Sequence, residues 1–82
     1  LAMDIEERYK KIFVLSLSIE KDKANNDLKY NDVPEWDSIG HMTLISDLEE
    51  EFKITLETDD IIDFSSYEKG KEILKEKYKI AF

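Results

Sequence analysis

The chain has 82 residues, of which 41% are hydrophobic and 39% charged, which is enough for one small domain with a single modest core. Its formal net charge of −8 argues against binding to nucleic acid or to an anionic membrane surface, and favours basic protein partners. The sequence has no cysteine, which excludes disulfides, thiolate nucleophiles and cysteine-bound metals, so a reducing cytoplasm is the expected location.

The N-terminal region resembles neither a signal peptide nor a membrane anchor. A charged segment follows Met3, and no apolar run approaches the roughly 20 residues that span a bilayer. Leu1 and Ala2 precede Met3 and are expected to be a vector-derived remnant, with residues 4–82 forming a single domain. The early methionine and a last helix reaching Phe82 favour a free-standing protein, which we expect to be a monomer.

The first predicted element is a helix near residues 4–16, for which Asp4 is a suitable N-cap. Its apolar residues recur at helical spacing: Ile5, Tyr9, Ile12 and Phe13. Residues 17–37 lose this periodicity and contain the turn formers Asn25, Asn26, Asp27 and Pro34. We expect a long connecting loop here, held to the core by Ile19, Leu28 and Trp36.

A second helix is predicted to begin at Asp37 or Ser38, either of which can cap it, and to pack through Leu44, Ile45, Leu48 and Phe52. A helix of one or two turns follows, capped by Thr58, Asp59 and Asp60 and containing Ile61, Ile62 and Phe64. Ser65 and Glu68 predict a capping box for the last helix, with a buried stripe of Tyr67, Gly70, Ile73, Leu74 and Tyr78. The predicted fold class is therefore all-α, a small four-helix bundle of three longer helices and one short one.

The negative charge is concentrated in the middle of the chain. Residues 27–65 hold two basic and twelve acidic side chains, a net charge of −10, whereas residues 1–26 are neutral and residues 66–82 carry +2. The acidic field is therefore centred on the second helix and the turns around it, where a basic partner would bind.

Ser38 lies where the connecting loop meets the first turn of the second helix. Unpaired backbone amides and the helix dipole stabilise an anion there, so a phosphate ester on Ser38 would be favoured. Taken alone, the Asp37-Ser38 pair is also explained by helix capping, which is common.

The wider run favours a specific family. The segment Trp36-Asp37-Ser38-Ile39-Gly40-His41-Met42, followed by Leu48-Glu49-Glu50-Glu51-Phe52, resembles the acyl carrier protein family, whose attachment motif is Asp-Ser-Leu followed by an acidic residue or Gly. The resemblance is best over the second helix. The order of elements extends it to the whole domain.

The resemblance implies that Ser38 carries 4′-phosphopantetheine from coenzyme A, attached by a phosphopantetheinyl transferase, with Asp37, Ile39 and Gly40 around the attachment point. The thiol of that group would hold acyl or aminoacyl cargo as a thioester, and the protein itself would catalyse nothing. In fatty-acid carriers an apolar cleft between helices shelters the cargo. The residues expected near that cleft are Ile39, Met42, Ile45 and Ile62.

The resemblance also implies a docking surface on the second helix for acyl-activating, condensing or acyltransferase enzymes with basic patches. The residues assigned to it are Asp37, Met42, Asp47, Glu49, Glu50 and Glu51. Contacts of this kind act on association rate and orientation more than on affinity. The chain departs from the common pattern at Gly40, where many members have Asp, and at Thr43, where many have Glu.

Other functions receive less support from the residues. His41, three residues after Ser38, could belong to a serine–histidine hydrolase, but no nucleophile elbow or orienting third residue accompanies the pair. No segment fits an EF-hand, so no metal site is expected. Trp36, Tyr67 and Tyr78 are interpreted as core or loop anchors rather than a ligand cage. The alternative that remains is an unmodified acidic helical interaction domain, and the sequence does not identify the cargo.

Overall fold

The computed structural model describes residues 4–82, so the predicted remnant at Leu1 and Ala2 lies outside the described part. Four α-helices follow one another, with one short 3-10 helix at Lys21–Lys23 in the first connection. The α-helices are α1 (Ile5–Leu17), α2 (Ser38–Phe52), α3 (Thr58–Asp63) and α4 (Tyr67–Tyr78). The prediction of an all-α fold is confirmed. No helix within residues 4–82 is long and apolar enough to cross a membrane.

Helix α1 begins as predicted and ends one residue later. The carboxylate of Asp4 accepts a hydrogen bond from the backbone N–H of Glu7 at 2.8 Å, which caps the N-terminus. Leu17 lies in the predicted loop, but in the structure it is the last helical residue and is buried. It extends the row formed by Tyr9 and Phe13, one helical turn apart at each step, and so belongs to the face of α1 that packs on the core.

The long connection between α1 and α2 is held to the bundle at several points. The predicted anchors are confirmed, since Trp36 and Leu28 are buried and Ile19 is half-buried, and Ala24 is an additional buried residue. The backbone N–H of Tyr67 donates to the carbonyl of Leu28, so the loop is bonded to the start of α4. These contacts fix the loop that precedes Ser38.

Two predicted helix caps are wrong. Thr58 is the first residue of α3 and does not cap it, because Glu57 occupies the cap position without a side-chain hydrogen bond. Asp60 is instead buried, where it accepts hydrogen bonds from Lys77 Nζ at 2.7 Å and from Tyr78 Oη at 2.6 Å. These bonds hold the pKa of Asp60 below its usual value, and the bond from Lys77 has the largest effect.

The second correction concerns α4. Its cap is Ser66, whose Oγ accepts from the N–H of Lys69 at 2.9 Å, so the cap lies one residue after the predicted Ser65 and the predicted capping box of Ser65 with Glu68 is wrong. The carbonyl of Ser65 accepts a hydrogen bond from the N–H of Tyr30 in the connecting loop, and this long-range contact sets where the helix starts.

The last four residues do not continue α4, which ends at Tyr78 rather than at Phe82. Lys79 adopts a left-handed conformation, and the N–H of Ile80 bonds back to the carbonyl of Leu74. The Phe82 ring then lies 5.2 Å from the ring of Tyr9. The predicted buried stripe of α4 is otherwise confirmed from Tyr67 to Leu74, with Tyr78 half-buried.

The core lies between α1, α2, the end of the connecting loop and α4. Its largest fully buried side chains are Trp36, Tyr9, Phe13, Phe64, Leu17, Leu44, Ile45, Leu48 and Leu74. Aromatic rings contact one another in an unbroken row, for example Phe13 with Trp36 at 5.3 Å between centroids. The packing of these rings holds the end of the loop and the start of α2 beside α3, and the candidate site lies there.

Candidate functional site

The geometry at the start of α2 shows which of Asp37 and Ser38 caps the helix. Asp37 is the N-cap, and its Oδ1 accepts a hydrogen bond from the N–H of Gly40 at 2.8 Å. Ser38 is the first helical residue, and its side chain is exposed to solvent. Because Asp37 supplies the cap, the hydroxyl of Ser38 is not needed for it.

Tyr30 is the side chain that reaches Ser38 from the connecting loop. Its Oη lies 3.2 Å from Ser38 Oγ, and either hydroxyl can donate. The Tyr30 ring packs edge-on against Trp36 and His41, with centroid distances of 6.1 and 5.6 Å. Tyr30 could not be predicted as a neighbour of Ser38, because it lies in a loop without periodicity, eight residues earlier, and only the folded loop brings the two together.

His41 joins the connecting loop to α3. The indole N–H of Trp36 donates to Nδ1 of His41 at 2.9 Å, and Nε2 of His41 is 2.8 Å from the carbonyl oxygen of Ile61. Since Nδ1 accepts a hydrogen bond, Nε2 carries the proton and donates to Ile61. We call this pair of hydrogen bonds the His41 bridge. Both ring nitrogens are occupied, so His41 is not placed to act as a base toward Ser38 in a hydrolase.

Three apolar side chains near Ser38 are exposed to solvent. Ile39 is 79% exposed, Met42 53% and Ile62 71%. Ser38 and Met42 on α2 face Ile62 on α3 across an open groove that Tyr30 and His41 also line. Of the four residues expected near a cleft, only Ile45 lies in the core, where it is buried. The others form the surface around the attachment point.

Gly40 has a packing role that explains its departure from the acidic residue of many family members. A Cβ at this position would overlap the carbonyl oxygen of Glu35, and it would lie 3.2 Å from Leu17 Cδ2. Only glycine therefore allows the first turn of α2 to pack directly on the backbone of the connecting loop.

Besides Asp37, which caps α2, three of the acidic residues assigned to docking make contacts within the protein. Glu51 forms an ion pair with Arg8 at 2.7 Å, and Asp47 accepts a hydrogen bond from Ser16 at 2.6 Å. Glu49 accepts from the N–H of Leu56 at 2.8 Å, which fixes the turn after α2. All three remain partly exposed.

Glu50 and Asp37 are the more exposed of the predicted docking acids. Glu50 and Thr43 lie seven residues apart and so share one face of α2. Many family members have Glu at the position of Thr43. This face therefore carries less negative charge near Ser38 than it would with a Glu there. Within residues 4–82, no group of three or more histidine or carboxylate side chains is arranged to hold a metal ion.

Similar proteins were found by comparison with curated sequences. The chain is 34% identical over 74 residues to the acyl carrier protein of Buchnera aphidicola subsp. Acyrthosiphon pisum, strain Tuc7, and equally to that of strain APS. Each alignment covers 90% of this chain and 92% of the relative. A scan against protein-family models finds no match.

Proposed function

The chain belongs to the acyl carrier protein family and is a carrier rather than an enzyme, and from this premise we propose that Ser38 bears its 4′-phosphopantetheine arm, transferred from coenzyme A. When attached, this group supplies the thiol on which an acyl group is held as a thioester. The observation that carries the proposal is the exposed hydroxyl of Ser38 beside an aspartate that already caps the helix.

The residues around Ser38 fit a phosphodiester. Asp37 keeps the helix end intact without Ser38, so esterification of the hydroxyl removes no cap. The first turn of α2 presents the positive end of the helix dipole, which stabilises a negative charge. Tyr30 Oη, 3.2 Å from Ser38 Oγ, is a hydroxyl donor within reach of the same position. Gly40 holds this turn against the loop, and Ile39 is exposed beside it.

The partners that we propose are a phosphopantetheinyl transferase, which loads the arm, and the acyl-activating, condensing or acyltransferase enzymes that use it. The exposed side chains Ile39 and Met42, together with Asp37 and Glu50, provide an apolar and acidic surface for a partner with a basic patch. Asp47, Glu49 and Glu51 extend this surface, although the charge of Glu51 is partly offset by its ion pair with Arg8. We expect a monomer that meets these enzymes in the cytoplasm.

The attachment site is tested by intact-mass measurement after incubation with coenzyme A, magnesium and a broad-specificity phosphopantetheinyl transferase. We expect the protein to gain one phosphopantetheine, and Ser38→Ala to gain none. Ser46→Ala is the matched control, because Ser46 is another exposed serine on α2 and its loss should leave loading unchanged.

Folding of Ser38→Ala must be verified by circular dichroism. We expect a loss of stability of about 1 kcal/mol or less, because Asp37 and not Ser38 is the cap. If the parent protein gains no mass while a known carrier is modified in the same tube, the attachment proposal is wrong. An unmodified acidic interaction domain would then be the better interpretation.

A further inference from the structure

The His41 bridge separates the groove beside Ser38 from the core of the bundle. Building on the proposed attachment at Ser38, we propose that the acyl group stays outside the core, in the groove between α2 and α3, and that the cargo is therefore a short or polar acyl group rather than a long alkyl chain. The elements that carry this inference are the bridge, the aromatic rings behind it and the open groove in front of it.

The bridge closes the passage between α2 and α3. His41 lies on α2 and bonds to the carbonyl of Ile61 on α3 at 2.8 Å, so the two helices are joined three residues from Ser38. The second bond, from the Trp36 indole at 2.9 Å, holds the imidazole ring in place. A chain that entered here would have to break both bonds and leave the N–H of a buried indole without an acceptor.

The space behind the bridge is filled by rings. The Trp36 ring stacks on His41 at 6.1 Å and contacts Phe13 at 5.3 Å, and the Phe64 ring lies 6.1 Å from His41. Trp36, Phe13 and Phe64 are all fully buried. Because protein interiors are close-packed, an alkyl chain could enter only by displacing one of these rings.

The groove in front of the bridge offers the cargo a place beside the attachment point. It is lined by Ser38 itself, by Tyr30 and by the exposed side chains of Met42 and Ile62. Apolar contact with these residues and hydrogen bonding to Tyr30 suit an acyl group of a few carbons or one with a polar substituent. Because the groove is open, a long alkyl chain lying in it would keep one side in contact with water.

The test measures how well the thioester is protected from hydroxylamine. The protein is loaded from acetyl-coenzyme A and from octanoyl-coenzyme A by a broad-specificity transferase, and loading is verified by intact mass. The ratio of the octanoyl to the acetyl cleavage rate is then divided by the same ratio for free pantetheine thioesters. We expect a value near one. A thioester that is enclosed nine-tenths of the time would instead react about tenfold more slowly.

Slowing of the octanoyl form by more than about threefold would overturn this inference and leave the attachment proposal intact, because only the enclosed fraction is protected. A failure to load would overturn the attachment proposal itself. His41→Ala, with its fold verified by circular dichroism, should become able to protect the octanoyl form. If it folds and gives no protection, the bridge is not the barrier. If it does not fold, the comparison of the two acyl forms of the parent protein decides.

Discussion

Replacing His41 with alanine should destabilise the protein. The loss should be larger when residue 36 is tryptophan than when it is phenylalanine. In His41→Ala, the N–H of a fully buried Trp36 loses its acceptor, which costs about 1–3 kcal/mol, and the bond to the Ile61 carbonyl is lost, a net contribution of about 0.5–1.5 kcal/mol. We therefore expect His41→Ala to reduce the free energy of unfolding by about 2–4 kcal/mol. That is a large part of the roughly 4–12 kcal/mol expected for a domain of this length.

The assay is a double-mutant cycle with Trp36→Phe, measured by urea denaturation and circular dichroism. Trp36→Phe removes the indole donor, so His41→Ala made in that background leaves no unpaired N–H and should cost only about 1 kcal/mol. The expected coupling between the two substitutions is about 1–3 kcal/mol. Costs that add to within about 0.5 kcal/mol would show that the Trp36–His41 bond contributes nothing to stability, and would refute this account of the bridge.

Three further predictions concern other contacts. Gly40→Ala should lower the free energy of unfolding by about 1–3 kcal/mol in urea denaturation, because its Cβ meets the Glu35 carbonyl, whereas the exposed control Ser46→Ala should change it by less than about 0.5 kcal/mol. Asp60→Asn should be less stable than the parent at pH 7. The lowered pKa of Asp60 means that its ionised form stabilises the fold above its usual pKa, so the difference in thermal midpoint should shrink as the pH falls below about 4, and a constant difference would contradict the assignment. Tyr30→Phe keeps the ring but removes the hydroxyl next to Ser38, and should reduce kcat/KM for phosphopantetheine transfer by roughly threefold to tenfold with stability unchanged; an unchanged rate would show that Tyr30 does not position Ser38.

The helices could be predicted because their signals are local. The spacing of Tyr9 and Phe13, the cap at Asp4 and the stripe from Tyr67 to Leu74 depend on residues within a few turns of one another. The predictions failed where a distant residue decides the outcome. The local pattern predicts Asp60 as a cap of α3, yet its carboxylate is buried against Lys77 and Tyr78 of α4.

The attachment serine could also be located from the sequence, since its motif lies at the start of a periodic helix. The residues that surround it in the fold could not be predicted from the sequence. Tyr30 reaches Ser38 because the connecting loop folds back, and the carbonyl of Ile61 reaches His41 because α3 packs beside α2. Neither contact has a spacing rule, and a backbone carbonyl leaves no trace in a side-chain pattern. The contacts that Glu49 and Glu51 make within the protein could not be predicted for the same reason, because their partners lie in other elements.

The two glycines of this chain are used inside helices, and the helix ends do without them. Gly40 and Gly70 each allow a close approach that a Cβ would block, whereas α1, α2 and α4 end on Ser18, Lys53 and Lys79 in the left-handed conformation, with φ between 54° and 61°. A non-glycine residue there costs about 1 kcal/mol or more in backbone strain. For protein engineering, these three C-termini are therefore sites at which stability could be gained by sequence change.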